Sequence, residues 1–425
     1  MKYNQCLNEM YALRRFGIKL GLETIQYILS ELDNPHQKFE TIHVAGTNGK
    51  GSVCAIIANI LQFHGFRVGL YTSPHLIHFN ERIVINGAPI DNDQVVDLYQ
   101  KVKNVQKPDR ELTFFEYTTA MAFCAFAEQK VDIAVIETGM GGRLDATNVL
   151  VPRLSIITNI GLEHQTYLGK KFEDIAFEKA GIIKPCVPVI TDVQHQVSFD
   201  VISDIAKQNN APVYQLGKQI KVRMRKDSFS YSGLKYEWLR LNCPLSGHHQ
   251  IRNAGLALCA YELITKNKAN WNAVNSGLTT VKWPGRMEIV RQEPLVILDG
   301  AHNLMAIQQL AKYLKRILKD RSLTLIVSIL DDKPYETMLN KLMKVAQSVV
   351  VAQAKIDRSI DPIILQRYIK EKLQDVKIIS DVSKAYFETL RHATASDIIC
   401  VTGSLYIVGE VKAAIQDSSN EIFLA

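Results

Sequence analysis

Short apolar runs alternate with helical patterns along much of this 425-residue chain. The best-defined runs lie at residues 41–45, 67–71, 132–136 and 154–159. Runs of this length are typical of buried strands, and their alternation with helices favours parallel sheets that helices cover. The pattern therefore predicts an α/β protein.

Unusual polar residues follow each of these runs. They are Gly46 and its successors, Thr-Ser-Pro-His at 72–75, Glu-Thr-Gly at 137–139, and Ile-Gly-Leu-Glu-His at 160–164. In open α/β sheets, ligands bind beyond the carboxyl ends of the strands. These clusters are therefore expected to form one site.

The segment 46–52 has the sequence Gly-Thr-Asn-Gly-Lys-Gly-Ser and precedes a helix predicted over residues 53–63. Glycines let backbone N–H groups turn toward phosphate oxygens, Lys50 adds a positive charge, and the hydroxyl of Ser52 can coordinate Mg²⁺. The spacing differs from the Walker A loop, G-x-x-x-x-G-K-[ST], because a glycine separates Lys50 from Ser52. A plain glycine-rich turn would explain the glycines but not the lysine and serine together, so the segment predicts a nucleotide site.

The composition limits the class of partner. Lys and Arg number 50 against 43 Asp and Glu, a net charge of +7 without a long cationic run, which fits small acidic substrates better than nucleic acid. The seven cysteines are scattered and indicate reduced thiols rather than a zinc site or disulfides. The first residues lack a signal-peptide pattern, and no apolar run reaches membrane-spanning length. We expect a cytoplasmic monomer that binds neither nucleic acid nor membranes.

Two changes of pattern indicate the domain organisation. Alternating apolar and charged residues at 220–241 predict a hairpin or a small antiparallel sheet, and Lys-Trp-Pro-Gly-Arg at 282–286 interrupts the helical pattern. Strand–helix alternation then resumes, with runs at 295–298, 324–329, 348–352, 376–379 and 398–401. We predict a P-loop-type, parallel-sheet ATPase domain with a small antiparallel β part at 1–290, and a smaller Rossmann-like α/β domain at 291–425.

Residue chemistry alone leaves several roles open. Glu137 ends a buried run and suits a metal ion on nucleotide phosphates, although a helix-capping carboxylate is the alternative. His164 fits a hydrogen-bonding loop residue or a metal ligand, because Mg²⁺ prefers oxygen. Lys179 resembles an ordinary lysine at a helix end. Asp299 and His302, with the adjacent linker, could contact a nucleotide or simply form a turn.

Short motifs in a constant order along nearly the whole chain resemble the folylpolyglutamate synthase and dihydrofolate synthase family, within the ATP-dependent Mur ligase superfamily. The matching segments are residues 46–52, 71–75, 79–83, 114–116, 137–148, 161–164, 178–184, 247–250 with Asn253, 283–286, 298–303 and 402–406. The resemblance implies that residues 1–290 form the ATP-binding central domain and residues 291–425 a glutamate-ligase domain.

The resemblance also implies roles for individual residues. Ser73 and Glu137 would bind one Mg²⁺ and His164 a second, while Lys179 would be carbamylated and so become an anionic ligand; Lys50 would join Glu137, His164 and Lys179 in catalysis. The implied ATP contacts are Asn48, Gly49, Lys50, Gly51, Ser52, Asn253, Arg286 and Asp299. The implied glutamate contacts are Arg82, His302 and Ser404. The implied contacts to the pterin-bearing substrate are Lys19, Leu20, Gly21, Thr113, Leu144, Asp145 and Ala146.

The implied reaction is ATP-dependent amide ligation through an acyl phosphate, in which L-glutamate is added to 7,8-dihydropteroate and to reduced folates. Two departures from the family pattern, Leu304 in place of proline and Asp-Asp-Lys-Pro at 331–334, remove none of the implied ligands. Three alternatives stay open: chain extension on folates only, a muramyl-peptide ligase, and a nucleotide-binding switch without ligase chemistry. The segments 114–116 and 283–286 favour the folate branch over the muramyl ligases.

Overall fold

The computed structural model describes residues 1–13, 21–106, 111–266 and 268–424. The chain divides into two compact units: residues 1–244 with 248–282, and residues 245–247 with the chain from 283 onward. The division at Lys282 and Trp283 lies a few residues before the predicted boundary at 290/291. The reason is that the strand at 288–291 pairs with the first parallel strand of the second unit.

The first unit is built on a sheet of eight strands. They are β1 (Glu40–Ala45), β2 (Val68–Tyr71), β3 (Ile83–Ile85), β4 (Ala88–Pro89), β5 (Ile133–Glu137), β6 (Leu154–Ile157), β7 (Val189–Thr191) and β8 (Val213–Gln215). Their order is β4-β3-β2-β5-β1-β6-β7-β8, and all neighbours from β2 to β8 pair in parallel while β3 and β4 form an antiparallel edge. Because β1, β2, β5 and β6 are parallel, the polar clusters that follow them all lie at the carboxyl ends of the strands, on one side of the sheet.

Helices cover both faces of this sheet. They are α1 (Tyr3–Ala12), α2 (Glu23–Glu31), α3 (Lys50–His64), α4 (Asn92–Val105), α5 (Phe114–Glu128), α6 (Gln165–Leu168), α7 (Phe172–Ala180), α8 (Gln196–Gln208), α9 (His248–Ile264) and α10 (Trp271–Thr279). The strands β2 and β5 are buried along their whole length, as expected when both faces of a parallel sheet are covered. The helix predicted over 53–63 instead begins at Lys50. The loop already ends at Gly49, which has a positive φ and forms the N-terminal cap of the helix.

A small antiparallel sheet follows, as predicted. Its strands are β9 (Lys221–Met224), β10 (Phe229–Ser232) and β11 (Glu237–Leu241), in the order β11-β10-β9. The buried aromatic rings of Tyr231 and Trp238 stack with centroids 5.3 Å apart. On α9, the buried carboxylate of Glu262 accepts hydrogen bonds from the backbone N–H groups of Leu234 and Lys235, both at 3.0 Å. This carboxylate therefore fixes the turn between β10 and β11.

The second unit has its own six-stranded sheet. Its strands are β12 (Glu288–Arg291), β13 (Leu295–Leu298), β14 (Leu323–Val327), β15 (Ser348–Val351), β16 (Val376–Ile378) and β17 (Ile398–Thr402), and its helices are α11 (Leu304–Leu318), α12 (Tyr335–Leu342), α13 (Pro362–Lys370), α14 (Val382–His392) and α15 (Leu405–Leu424). The order is β12-β13-β17-β14-β15-β16, with only β12 antiparallel to its neighbour. The predicted fold class is confirmed. Across the described ranges, no helix combines the length and apolar composition needed to cross a bilayer.

Candidate active site

The phosphate loop, residues 46–52, turns sharply between β1 and α3. Gly46 and Gly49 have φ angles of +149° and +84°, and Gly49 caps the N-terminus of α3. The backbone N–H of Asn48 donates to the Asn159 side-chain oxygen at 2.9 Å, and the Asn159 amide donates back to the Asn48 carbonyl at 3.0 Å. The segment that follows β6 thus holds the loop at the N-terminus of α3, and a helix N-terminus is a favourable place for an anion.

Gly49 is required here for two reasons. Its φ of +84° strains any other residue, and a Cβ at this position would lie 2.7 Å from Oδ1 of Asn253. Gly65, at the other end of α3, has a φ of +103° but nothing within 4 Å of an added Cβ. The two positions therefore share the backbone strain and differ in the steric conflict.

We expect Gly49→Ala and Gly65→Ala each to lower the free energy of unfolding by about 1–2 kcal/mol through backbone strain. Only Gly49→Ala is expected to weaken ADP binding, by about tenfold, because Asn253 and the loop must move apart. Thermal melts and calorimetric titration of ADP measure the two effects separately. Equal ADP affinity in both variants would contradict the role of the loop.

Two lysines meet at the carbonyl of Gly46. Lys50 Nζ donates to this oxygen at 3.2 Å, and Lys179 Nζ, from the last turn of α7, donates to it at 2.9 Å. Lys50 Nζ also lies 3.8 Å from Oε1 of Glu137. The structure therefore brings three of the predicted catalytic residues, Lys50, Glu137 and Lys179, to one point at the start of the phosphate loop.

The environment of Lys179 is unlike that of a helix-end lysine on a surface. Its side chain is buried, with 4% of the residue exposed. Burial and the charge of Lys50 lower the pKa of the Lys179 ammonium to about 7, against the opposing effect of Glu163 and Asp145. A large fraction of Lys179 is therefore a neutral amine near neutral pH. Lys179 does lie at a helix end, as its sequence context indicated, but it is not an ordinary lysine there, because its position in the sequence does not reveal its burial.

Oxygen donors suited to a magnesium ion lie next to these lysines. Glu137 is the last residue of β5, and its Oε2 accepts a hydrogen bond from the backbone N–H of Ser73 at 3.1 Å, so the backbone of Ser73 lies next to this carboxylate. His164 is the capping residue just before α6 and has a φ of +53°. The loop that carries it is tied to the phosphate loop, since Gly161 N donates to the Thr47 hydroxyl at 2.9 Å. One carboxylate and a hydroxyl beside a phosphate loop fit Mg²⁺, which takes few protein ligands.

A chain of buried hydrogen bonds links the 139–148 segment to β1. Asp145 accepts from the Met140 backbone N–H at 2.8 Å and from the Thr147 hydroxyl at 2.5 Å. The Thr147 oxygen lies 2.8 Å from Nε2 of His43, which therefore carries the proton of the neutral imidazole. Burial raises the pKa of the Asp145 carboxyl, whereas burial and the charge of Lys184 lower the pKa of His43 to about 3.

This buried histidine is expected to make the protein acid-sensitive. In the unfolded chain His43 binds a proton below pH about 6.5, whereas in the native state it does so only near pH 3. The free energy of unfolding therefore decreases as the pH is lowered through this window, by about 2 kcal/mol at pH 5. Urea unfolding between pH 8 and pH 5 measures this slope. We expect His43→Phe to make it clearly shallower, and His392→Phe, at an exposed ring, to leave it unchanged. An equally steep slope in His43→Phe would contradict the assignment.

The residues predicted to contact the pterin-bearing substrate are only partly described. Gly21, Thr113, Leu144, Asp145 and Ala146 lie in the first unit, whereas Lys19 and Leu20 lie outside the described residues. Thr113 caps α5, with its oxygen accepting the Glu116 N–H at 3.2 Å and its hydroxyl donating to the Glu116 carboxylate at 2.8 Å. Both α2 and α5 pack against the 3₁₀ turn Ala146–Val149. Their substrate role stays a prediction.

In the second unit, the predicted nucleotide residues surround the end of β13. Asp299 is buried and accepts the backbone N–H groups of Met287 at 2.8 Å and Ala301 at 3.1 Å. Burial raises the pKa of its carboxyl, and the charge of Arg286 opposes this shift. A Cβ at Gly300 would lie 2.6 Å from Nη1 of Arg286. Arg286 and Asp299 are therefore neighbours at this strand end.

The predicted glutamate residues belong to both units. Arg82, in the first, is buried, donates from Nε to His75 Nδ1 at 2.8 Å and lies 5.1 Å above the centre of the Phe114 ring. His302 and Ser404 belong to the second unit. There, His302 Nδ1 lies 2.8 Å from the carbonyl oxygen of Gly300. Their binding of glutamate stays a prediction.

Residue-by-residue reasoning missed three polar groups that shape the loop. They are Thr47 and Asn159, described above, and Gln250 on α9, whose amide donates to the Ser52 hydroxyl at 3.3 Å. Asn159 lies two residues after β6, so the rule that drew attention to the other strand ends could have found it. Gln250 had no local signal that distinguishes it from any helix glutamine.

Two protein-family models match this chain. The model for the Mur ligase middle domain matches residues 44–261, and the model for the Mur ligase glutamate ligase domain matches residues 285–405. The dihydrofolate synthase/folylpolyglutamate synthase of Bacillus subtilis is 35% identical over 432 residues, covering 96% of this chain and 98% of the relative.

Solved structures of related proteins superpose on nearly the whole chain. The structure of E. coli FolC in complex with DHPP and ADP superposes with a TM-score of 0.91 at 28% identity and covers 99% of both chains. A bifunctional folylpolyglutamate synthase/dihydrofolate synthase from Yersinia pestis, complexed with AMPPNP and Mn ion, has a TM-score of 0.87 at 28% identity and covers 98% of both chains.

Proposed function

This chain belongs to the Mur ligase family as an ATP-dependent ligase of the dihydrofolate synthase/folylpolyglutamate synthase type, and from that premise we propose how its residues perform the ligation. The proposed reaction joins L-glutamate to 7,8-dihydropteroate, giving dihydrofolate, and to reduced folates, giving folylpolyglutamates. The observation that carries it is the meeting of Lys50, Lys179 and Glu137 at the start of the phosphate loop.

The chemistry requires two displacements. A substrate carboxylate attacks the γ-phosphorus of ATP and releases ADP, and the neutral amine of glutamate then attacks the acyl phosphate, forming the C–N bond, releasing phosphate and losing a proton. The N-terminus of α3 and the Lys50 ammonium would offset the negative charge of the phosphates. This includes the negative charge that develops on the departing ADP oxygen during the first displacement. No covalent enzyme nucleophile is needed.

Metal ions would be held by the groups beside this loop. Ser73 and Glu137 are the proposed ligands of one Mg²⁺, and His164 of a second. When bound, the ions supply further positive charge against the triphosphate and the developing transition state. The buried position of Glu137, already oriented by the Ser73 N–H, supports its role, because a carboxylate fixed in advance needs no reorganisation to bind a cation.

Lys179 is proposed to react with CO₂. Its neutral amine would form an N–C bond to CO₂ and lose one proton, giving an anionic carbamate near the Lys50 ammonium. Burial and the lowered pKa support this step, because only the unprotonated amine is nucleophilic.

We expect a carbamate signal in ¹³C NMR spectra of protein equilibrated with ¹³C-bicarbonate near pH 8, and its absence from Lys179→Met. Because the pKa of Lys179 is about 7, the signal should weaken as the pH falls below that value. Lys184→Met, at another partly buried lysine, should retain the signal. A carbamate signal that persists in Lys179→Met would assign the modification to another amine.

The pterin-bearing substrate is proposed to lie along Thr113 and the 144–146 segment, and glutamate near Arg82, His302 and Ser404. Asn253, Arg286 and Asp299 are proposed to contact ATP. A monomer and a cytoplasmic location remain predictions. Chain extension without the dihydrofolate step is the second candidate, since one relative of 32% identity, from Lacticaseibacillus casei, carries the name folylpolyglutamate synthase alone.

Mass spectrometry of the products tests the proposal. The purified protein is supplied with ATP, Mg²⁺ and L-glutamate, and with 7,8-dihydropteroate in one reaction and tetrahydrofolate in another. One added glutamyl unit in both reactions is the expected result. Addition of glutamate to tetrahydrofolate alone would indicate an enzyme that only extends the chain. Addition to neither substrate would favour a muramyl-peptide ligase or a nucleotide-binding switch instead.

A further inference from the structure

The first turns of α9 form one wall of the phosphate loop. The Gln250 amide donates to the Ser52 hydroxyl at 3.3 Å and accepts from the Asn253 amide at 2.9 Å. Asn253 in turn stands directly against Gly49. Both amides are buried. The shape of the loop where it meets α3 therefore depends on where the start of α9 lies.

Arg252 lies between these two residues in the sequence but is directed elsewhere. Its Nε donates to Oδ2 of Asp192 at 2.7 Å, and its Nη2 makes a second close bond to Oδ1. Asp192 follows β7 immediately, at the same carboxyl edge of the sheet from which the phosphate loop emerges. The pair therefore links the first turns of α9 to a strand end.

The geometry of this pair distinguishes it from an ordinary surface ion pair. The guanidinium makes two bonds to one carboxylate, which fixes direction as well as distance. The side chains are only 31% and 12% exposed, so water screens the pair weakly. Gln194 adds a third bond to Asp192, from its amide to Oδ1 at 2.9 Å, and also donates to the carbonyl of Leu216 at 3.0 Å. The carboxylate is thus held before the arginine meets it.

We propose that Arg252, held by Asp192, is a positioning residue for ATP: it fixes the rotation and depth of the first turns of α9 and so keeps Gln250 and Asn253 against the phosphate loop. The inference rests on the proposed ATP site. Neither residue of the pair belongs to any of the sequence motifs to which a role was given.

The test compares calorimetric ADP affinity and steady-state kinetics of the full-length protein with those of Arg252→Ala and Asp192→Ala. We expect each variant to raise the Kd for ADP and the KM for ATP by about tenfold, with kcat and the KM for L-glutamate changed by less than about threefold. The double variant should be no worse than either single variant, because both remove the same link. Arg252→Lys, which keeps the charge but loses the fork, should give an intermediate Kd.

Arg153→Ala is the matched control. Arg153 forms an ion pair with Glu40, the first residue of β1, at the amino end of the same sheet and away from the loop. It should leave ADP affinity unchanged whatever its effect on the melting temperature.

The outcomes separate the inference from the function on which it rests. A lower melting temperature with unchanged ADP affinity in Arg252→Ala would reduce the pair to a structural link and overturn the inference. If the alanine variants do not fold, Arg252→Lys and Asp192→Asn give the same decision through their ADP affinity. Wild-type protein that fails to bind ADP would overturn both the inference and the proposed function.

Discussion

Lys179→Ala is expected to lower glutamate-dependent ligation by about a hundred- to a thousandfold, a loss of the size seen when one preorganised electrostatic group is removed. The proposed carbamate oxygen would vanish, and the hydrogen bond to the Gly46 carbonyl would vanish with it. Product formation by mass spectrometry and ADP release measure the effect. Circular dichroism and thermal melts should show a folded protein, because a deeply buried amine contributes little to stability beyond its single hydrogen bond.

Lys184 supplies a closely matched control. It is partly buried, burial lowers its pKa as it does for Lys179, and its ammonium likewise donates to a backbone carbonyl, that of Asn148, at 3.1 Å. Lys184→Ala should therefore reproduce the structural cost of removing such a lysine without the loss of ligation. Near-normal turnover in Lys179→Ala would exclude the proposed role of the carbamate.

Glu137→Gln is expected to lower turnover by about a hundredfold at saturating substrate and to raise the Mg²⁺ concentration that gives half-maximal activity. The glutamine side chain has the shape of the carboxylate and can still accept the Ser73 N–H, so the strand end should keep its structure. What disappears is the negative charge 3.8 Å from Lys50 and the oxygen that a hard cation prefers. A Mg²⁺ titration of the ligation rate measures both effects.

Glu262→Gln controls for the loss of a buried carboxylate. Glu262 accepts two backbone N–H groups of the turn between β10 and β11. It lies near the C-terminal end of α9, whereas the phosphate loop meets the N-terminal end of this helix. Its substitution is expected to change stability and to leave the Mg²⁺ response unaltered. An unchanged Mg²⁺ response in Glu137→Gln would count against its role as a ligand.

Much of the site follows from rules that act over a few residues. The apolar run at 41–45 and the glycines after it predict a strand that turns into a helix, and the structure has β1, the loop and α3 in that order. Because neighbouring strands are parallel, the polar residues after each of them share one edge, which is why Glu137 and the Ser73 N–H come into contact across 64 residues. Glu137 itself was expected just after its strand and instead ends β5.

Other parts of the site depend on packing that no local pattern specifies. α7 meets the 141–143 segment so closely that a Cβ at Gly142 would lie 2.8 Å from the Lys179 carbonyl, and this contact carries the Lys179 side chain to Gly46. The same holds for Arg252, whose partner Asp192 is 60 residues away. The family resemblance identified Lys179, but the residue's chemistry in isolation did not.

The sequence by itself determined the strand–loop–helix units, the edge of the sheet at which they end and the charges offered there, because periodicity, glycine conformation and parallel pairing are properties of neighbouring residues. Only the tertiary structure decided which charges are buried and which of them meet. Burial is a property of the whole packed unit, and it is burial that turns Lys179 into a neutral amine near pH 7 and keeps His43 uncharged.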